Sequence, residues 1–411
     1  MTPNAHLNRP AGSPLALHKR QVDPFDTPVE AVDFGQRHSE VDRLILYLNA
    51  TEQIPGKFKR LERERKSMST DWMRAATATD SPLDAIGGTP LLEVDTDVDA
   101  DIYVKMEFLN PTGSIKDRIY REMITAARER GELEPGMEII ECSTGNAGIA
   151  CTFVGTQLGH DVTIVMPEGM SEERKKVIRA YGGELIETPG GESDVDLAME
   201  RVEERLSADP DSYWFPNQFA NADNPAAHEA TTGPEIVEQF GGAPDAFVAG
   251  QGTGGTLTGT GRALREESDD VQLYALEPAE APILSRRQWG SHEIEGIGDG
   301  FVPKNLSPEL IDGVVVVESE AAIERSRWLA ESEGIFCGIS SGANVRGAKK
   351  VAREHGLDSV VTIVCDTGMR YFSTKLFEDD YEIDVPDRDH PLDDRSKRIL
   401  DEYRSEWHII E

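Results

Sequence analysis

Between residues 86 and 377, short apolar runs of strand length are repeatedly followed by a loop and then by a stretch of helical periodicity. The runs fall at 102–109, 137–140, 161–166, 246–250, 273–277 and 359–365, with an amphipathic stretch such as 171–181 between neighbours. Parallel strands need a crossover connection, and a helix is the usual one. The alternation therefore predicts an α/β fold with mostly parallel sheets and helices on both faces. In such folds ligands sit beyond the carboxyl ends of the strands, where loops and helix starts gather.

One of these loops carries a lysine. Asn110-Pro111-Thr112-Gly113-Ser114-Ile115-Lys116-Asp117-Arg118 joins the run at 102–109 to a helical pattern through Met123, Ala126 and Ala127. Pro111 and Gly113 close the strand, and Ser114 followed by Asp117 resembles an N-cap signal. A lysine in the first turn of a helix is electrostatically out of place, because the dipole there favours anions. That placement suits an amine meant to be bonded, although an isolated lysine is far more often a solvated surface group.

Three further loops have the same setting. Ser143-Thr144-Gly145-Asn146-Ala147-Gly148 follows the run ending at Cys142, and its N–H groups and hydroxyls at a helix start suit an anion. Taken alone, the tetrapeptide Ser143-Thr144-Gly145-Asn146 reads equally as an ordinary turn. Gly250-Gln251-Gly252-Thr253-Gly254-Gly255-Thr256-Leu257-Thr258-Gly259 can surround a phosphate with consecutive amides, while its G-x-G-x-x-G spacing from Gly250 to Gly255 also fits a dinucleotide loop. Gly338-Ile339-Ser340-Ser341-Gly342-Ala343-Asn344 offers a serine that fits either a ligand contact or a helix N-cap.

These loops, with Glu295-Gly296-Ile297-Gly298-Asp299-Gly300-Phe301-Val302-Pro303 and Asp366-Thr367-Gly368-Met369-Arg370-Tyr371-Phe372-Ser373-Thr374, resemble the motifs of the cysteine synthase and cystathionine beta-synthase family. That family has fold type II of the pyridoxal-phosphate (PLP) enzymes, a two-domain fold like that of the tryptophan synthase beta chain. The resemblance covers roughly three quarters of the chain, from Ile86 to Phe377. It implies PLP as cofactor, bonded as a Schiff base to Lys116, with the phosphate on Gly252, Thr253, Gly254, Gly255 and Thr256. It assigns the pyridine nitrogen to Ser340 and the 3-hydroxyl to Asn146. The substrate carboxylate falls to Ser143, Thr144, Gly145, Asn146 and Ala147, with Gln218 as a second ligand. Ala147 departs from the family's threonine and removes one hydroxyl, and His228 reads as a structural histidine.

The implied reaction is beta-replacement: an activated serine, O-acetylserine or O-phosphoserine, exchanges its beta substituent for sulfide to give L-cysteine through alpha-aminoacrylate. Lys116 would hold the cofactor, then remove and return the alpha proton. A hydroxyl partner at Ser340 leaves the pyridine nitrogen unprotonated and favours beta elimination. Glu293, Glu295 and Asp299 disfavour a dianionic leaving group, unless Arg286 and Arg287 answer them. The alternatives are cystathionine beta-synthase activity on serine and homocysteine, serine or threonine dehydration, and a catalytically silent PLP-binding protein.

The expected organisation is an N-terminal, partly helical extension over 1–80, a large PLP domain from 81–121 and 219–380, a small mobile domain over 122–218, and an acidic tail with some helical character over 381–411. Family resemblance adds a homodimer. In the extension, Lys57, Lys59, Arg60, Arg63, Arg65 and Lys66 are interrupted by Glu62 and Glu64, as on a solvated helix face rather than a recognition patch. A formal charge of −34 disfavours nucleic acid and anionic membranes as partners and suggests a halophilic source. No apolar window is long enough for a membrane span, so a cytoplasmic location is expected. Cys142, Cys151, Cys337 and Cys365 lack metal spacing and read as buried thiols.

Overall fold

A computed structural model describes residues 79–190, 195–378 and 391–411; the N-terminal extension with its basic cluster, and the start of the acidic stretch after 378, lie outside the described residues. The strands are β1 (Leu91–Val94), β2 (Asp101–Met106), β3 (Glu138–Cys142), β4 (Val162–Pro167), β5 (Glu184–Thr188), β6 (Tyr213–Trp214), β7 (Ala246–Gly250), β8 (Gln272–Pro278), β9 (Gly313–Val317), β10 (Ser359–Val364) and β11 (His408–Ile410). They form two sheets. One has the order β1-β2-β10-β7-β8-β9-β11, and the other β5-β4-β3-β6. All pairs are parallel except β1 with β2.

The longer helices are α1 (Lys116–Arg130), α2 (Asn146–Gln157), α3 (Glu172–Ala180), α4 (Val195–Ala208), α5 (Gly233–Phe240), α6 (Gly255–Glu267), α7 (Ser319–Glu333), α8 (Ile339–His355) and α9 (Asp394–Tyr403). β4 and β9 are buried along their whole length, as strands covered on both faces must be. On the seven-stranded sheet, Val104, Val248, Leu276 and Val315 face Ile323 of α7 and Val351 of α8. The opposite face packs Phe247, Leu273 and Val314 against Ile236, Leu257 and Leu264 of α5 and α6. The smaller sheet buries Ile139 and Ile164 under α1 and α2, and Ile140 and Val165 under α4. Each fully buried Val, Leu or Ile contributes about 1.5–3 kcal/mol, so a sheet with two apolar faces is stable only between helix layers.

The end of the chain does not trail as a tail. Asp393 caps α9 by accepting from the amides of Arg395 and Ser396 at 2.9 and 3.0 Å, and β11 then pairs in parallel with β9 at the sheet edge. Leu400 and Trp407 are buried in the core of that sheet, and the Trp407 indole donates to the Pro308 carbonyl. A few apolar side chains at the right spacing outweigh the surrounding acidic residues. The described cysteines are free thiols, with Cys142, Cys151 and Cys337 buried. Among the described residues no helix is long and apolar enough to cross a membrane.

The lysine lies where the two cores meet. Ile115 belongs to the core of the seven-stranded sheet and Ile119 to that of the four-stranded sheet. α1 starts at Lys116 after Ile115, which makes no capping bond; Ser114 Oγ accepts from the Lys116 amide at 3.3 Å, as the cap signal predicts. The Asp117 carboxylate turns back to the Thr112 amide at 2.7 Å, and the Ser114 backbone makes an isolated bridge to Asp366. These contacts fold the loop before the lysine into a rigid turn.

Candidate active site

An open cavity, about 930 Å³ when the solvent at its mouth is included, lies at the carboxyl ends of β3, β7 and β10. Lys116, Ser143, Thr144, Gly145, Asn146, Ala147, Gln218, Gly252, Thr253, Gly254, Thr256 and Ser340 line it together, drawn from stretches more than 200 positions apart. Gly255 does not reach the lining. It opens α6 with its back to Asn224, whose Oδ1 would stand 1.9 Å from any Cβ placed there.

The glycine loop cannot hold side chains. A Cβ at Gly252 would lie 2.5 Å from the Gly296 carbonyl oxygen, and one at Gly254, where φ is +80°, would lie 2.7 Å from the Leu306 amide nitrogen. The start of α6 has no side-chain cap, so its first N–H groups are left for an anion. Two hydroxyls are oriented there. Asn224 donates to Thr253 Oγ1 at 3.0 Å, and His228 Nε2 lies 3.3 Å from Thr256 Oγ1. Burial holds the His228 imidazole well below its ordinary range, and its Nδ1 pairs with Thr232 Oγ1 at 2.9 Å, so this histidine is neutral support for the loop.

Ser340 is the second residue of α8, and neither it nor Ser341 is the cap; that position is Gly338. Ser341 Oγ accepts from the Cys365 amide at 2.9 Å. Ser340 is buried and lines the cavity beside Cys365.

At the start of α2, Ser143 Oγ accepts from the amides of Gly145 and Gly148 at 3.0 and 2.7 Å, which shapes the loop and leaves the serine its own O–H to donate. Asn146 is clamped at both ends of its amide: Nδ2 donates to Asp366 at 2.7 Å and Oδ1 accepts from Arg370. One Nδ2 hydrogen remains for a ligand. Tyr371 donates to the same Asp366 oxygen at 2.7 Å, and the other Asp366 oxygen is buried without a hydrogen-bond partner. Gln218 donates to the Cys142 carbonyl at 3.3 Å, while its Oε1 has no protein partner. Behind it, Glu141 accepts from the Tyr120 hydroxyl at 3.1 Å and from the amides of Asn217 and Gln218; burial pushes its carboxyl up to about 8.

The three acidic residues of the 293–299 stretch separate. Glu293 pairs with Lys375 at 2.9 Å, away from the cavity lining, and Glu295 pairs with Arg174 of α3. Asp299 lines the cavity. Arg286 is drawn to Glu411 and Arg287 to Asp401, both at the C-terminal end of the chain, so neither answers the acidic residues. Arg174, Asn224, Glu141 and Tyr371 are site residues with no assigned role in the motif reading. Arg174 in particular sits in Glu172-Glu173-Arg174-Lys175-Lys176, which looks like an exposed helix face.

A profile of the family described as "Pyridoxal-phosphate dependent enzyme" matches residues 82–366. Cysteine synthase of Staphylococcus aureus is 43% identical over 314 residues, covering 74% of this chain and 99% of that protein. The chain belongs to the cysteine synthase family of PLP-dependent enzymes. Among solved structures, cysteine synthase from Entamoeba histolytica superposes with a TM-score of 0.71 at 36% identity, covering 81% of this chain and 98% of that one. The O-acetylserine dependent cystathionine beta-synthase from Helicobacter pylori superposes with a TM-score of 0.68 at 36% identity, covering 74% and 100%. The fold is thus the predicted fold type II of PLP enzymes, and the dinucleotide reading of Gly250 to Gly255 falls away. The cavity suits the family's cofactor: it offers one lysine, one uncapped helix start with side-chain-free walls, and one buried hydroxyl at Ser340.

Proposed function

We propose that the chain carries out beta-replacement on an activated serine, with O-acetylserine as donor and sulfide as nucleophile, yielding L-cysteine. The observation that carries this reading is the convergence of Lys116, the 252–256 loop, Ser340 and the 143–147 loop on one cavity, in a chain that resembles cysteine synthases over nearly their full length. Bound PLP supplies an electron sink conjugated to the substrate's α-carbon. The protein's part is positioning and proton handling. The amides at 252–256 would hold the phosphate, the Ser340 hydroxyl would serve the ring nitrogen, and the remaining Asn146 hydrogen would serve the 3-hydroxyl. Ser143, Thr144 and Gln218, with the amides at the start of α2, grip the carboxylate of the amino acid. Lys116 would hold the cofactor and, as a free amine, would take the α-proton and later return it.

Acetate suits the site better than phosphate as leaving group, because Asp299 lines the cavity, Arg174 there is taken by Glu295, and Arg286 and Arg287 are engaged elsewhere. The small domain, residues 122–218, would close over the site and exclude water. Bonds from Ser171 to the Arg370 carbonyl (3.1 Å) and from Ser373 to Glu173 (2.7 Å) support that closure. A homodimer is supported by exposed Leu109, Met369, Phe372 and Phe377, the two phenylalanine rings packed at a tilt with centroids 5.5 Å apart. The formal charge of −34 supports a cytoplasm rich in salt as the setting.

A second reading, with homocysteine as nucleophile, is favoured by the similarity to the Helicobacter enzyme. Products are to be analysed from O-acetylserine, O-phosphoserine and serine, each with and without sulfide or homocysteine, at high salt. Cysteine from O-acetylserine and sulfide is the expected result; ammonia and a keto acid from every pair overturn the synthase reading. Lys116→Ala is expected to abolish the visible absorbance of the bound cofactor.

A further inference from the structure

The loop over 295–300 is held on both sides. Ile297 is buried against Gly250, where an added Cβ would lie 2.7 Å from its Cγ2, and the Gly298 amide donates to the Gln251 carbonyl at 2.9 Å. Beyond it, Phe301 packs edge-on against Phe219, a cavity-lining ring, with centroids 5.1 Å apart. Gly296, Gly298 and Gly300 all have positive φ, so the loop turns at every second residue and sets Asp299 on the cavity between two fixed points. Its carboxylate makes no hydrogen bond or ion pair with the side chain of any other described residue. Lys116 and the buried Cys142 thiol lie within its field, and the Arg174–Glu295 pair and Tyr371 line the same cavity. Burial raises its carboxyl to about 6, against the opposing pull of Lys116.

We propose that Asp299 is a catalytic base for the second substrate, accepting the proton of a neutral S–H nucleophile, hydrogen sulfide or an alkyl thiol, as sulfur bonds to the β-carbon. This rests on the beta-replacement reading above. The S–H bond breaks, its proton passes to an Asp299 carboxylate oxygen, and a sulfur lone pair forms the S–C bond. The π pair displaced from the β-carbon moves to the α-carbon, which takes a proton from the Lys116 ammonium. The Asp299 proton then leaves to solvent with the product. Two physical arguments favour this group. A carboxylate in the cavity repels a sulfide or thiolate anion, so the nucleophile arrives neutral and must lose a proton. Simple thiols ionise near pH 8.5, so a base that is ionised near neutrality supplies what the thiol lacks.

The test uses the PLP-loaded full-length enzyme and its D299N and D299A variants, with O-acetylserine as donor and sulfide, methanethiol or homocysteine as nucleophile. In the wild type, kcat/KM for the thiol is expected to rise with pH through about 6. In D299N it is expected to fall by about 100-fold and lose that limb, while donor consumption in the first half-reaction stays intact. Formate is expected to restore part of the thiol step in D299A. As a readout independent of turnover, carboxyl ¹³C NMR of apo-protein is expected to show one signal titrating near 6 that is missing from D299N. If the wild type forms no sulfur-containing product with any nucleophile, the beta-replacement reading falls and this inference with it. If it does form product but D299N keeps the thiol rate and its pH limb, or loses both half-reactions without formate rescue in D299A, the inference alone is overturned.

Discussion

Arg174 and Glu295 form an ion pair at the active-site cavity, the arginine carried by α3 beside the four-stranded sheet and the glutamate by the loop between β8 and β9 of the seven-stranded sheet. Arg174 also lies over the Tyr371 ring at 5.0 Å from its centroid, and Tyr371 is bonded to Asp366. One guanidinium thus ties the two halves of the site together.

Removing it is expected to be costly. Arg174→Met leaves Glu295 largely buried without its partner, a change worth about 3 kcal/mol in comparable pairs. Chemical denaturation is expected to show that loss and steady-state kinetics a raised KM for the amino-acid donor. Adding Glu295→Gln is expected to recover most of the stability; a double mutant no better than the single one contradicts the pairing.

Gly254→Ala places a side chain at φ +80° and 2.7 Å from the Leu306 backbone nitrogen. Strain of this kind costs about 1–3 kcal/mol. The variant is expected to lose PLP on dialysis faster than the wild type and to melt earlier. An unaltered cofactor off-rate contradicts the cradle.

Glu141 carries a pH signature. Burial raises its carboxyl from 4.5 to about 8, so the folded state binds a proton that the unfolded state releases between those values. Its contribution is complete below about 4.5 and declines as pH rises towards 8, with a slope of up to about 1.4 kcal/mol per pH unit. In Glu141→Gln the decline is expected to be shallower, as measured by urea midpoints from pH 5 to 8. Parallel profiles contradict the assignment.

Trp407→Ala tests the role of the chain end. Its ring is buried among Leu273, Val314 and Leu400, and deleting it is expected to cost about 3–5 kcal/mol. Hydrogen exchange is expected to speed up in β11, while the PLP absorbance remains. A tail that merely trails shows neither change.

Sequence patterns reach far in this protein where the physics is local. The run Met137-Glu138-Ile139-Ile140-Glu141-Cys142, the glycines before α6 and the turn before Lys116 each declare a strand end or a helix start from a few adjacent residues. The cap signal holds at Ser114, whose Oγ accepts from the Lys116 amide at 3.3 Å, but Asp117 does not complete it. In the fold the Asp117 carboxylate turns to the Thr112 amide, because the turn at Pro111 to Gly113 brings that N–H to 2.7 Å. Composition misleads after residue 380, where beyond the legible helical pattern the acidic residues conceal a strand that extends a sheet.

The α/β class, the lysine and the loops that gather around it are legible in the chain alone, since backbone periodicity and glycine's steric freedom act within short windows. Which charges face the cavity is set only once the chain has packed. Glu293, Glu295 and Asp299 are near neighbours in the chain, yet Lys375 takes the first and Arg174 the second, while Asp299 is left facing the cavity. A side chain's electrostatic role depends on what lies within a few ångströms of it. Arg174 comes from far upstream of this loop and Lys375 from far downstream, and both reach it only when the two sheets and their helices are assembled.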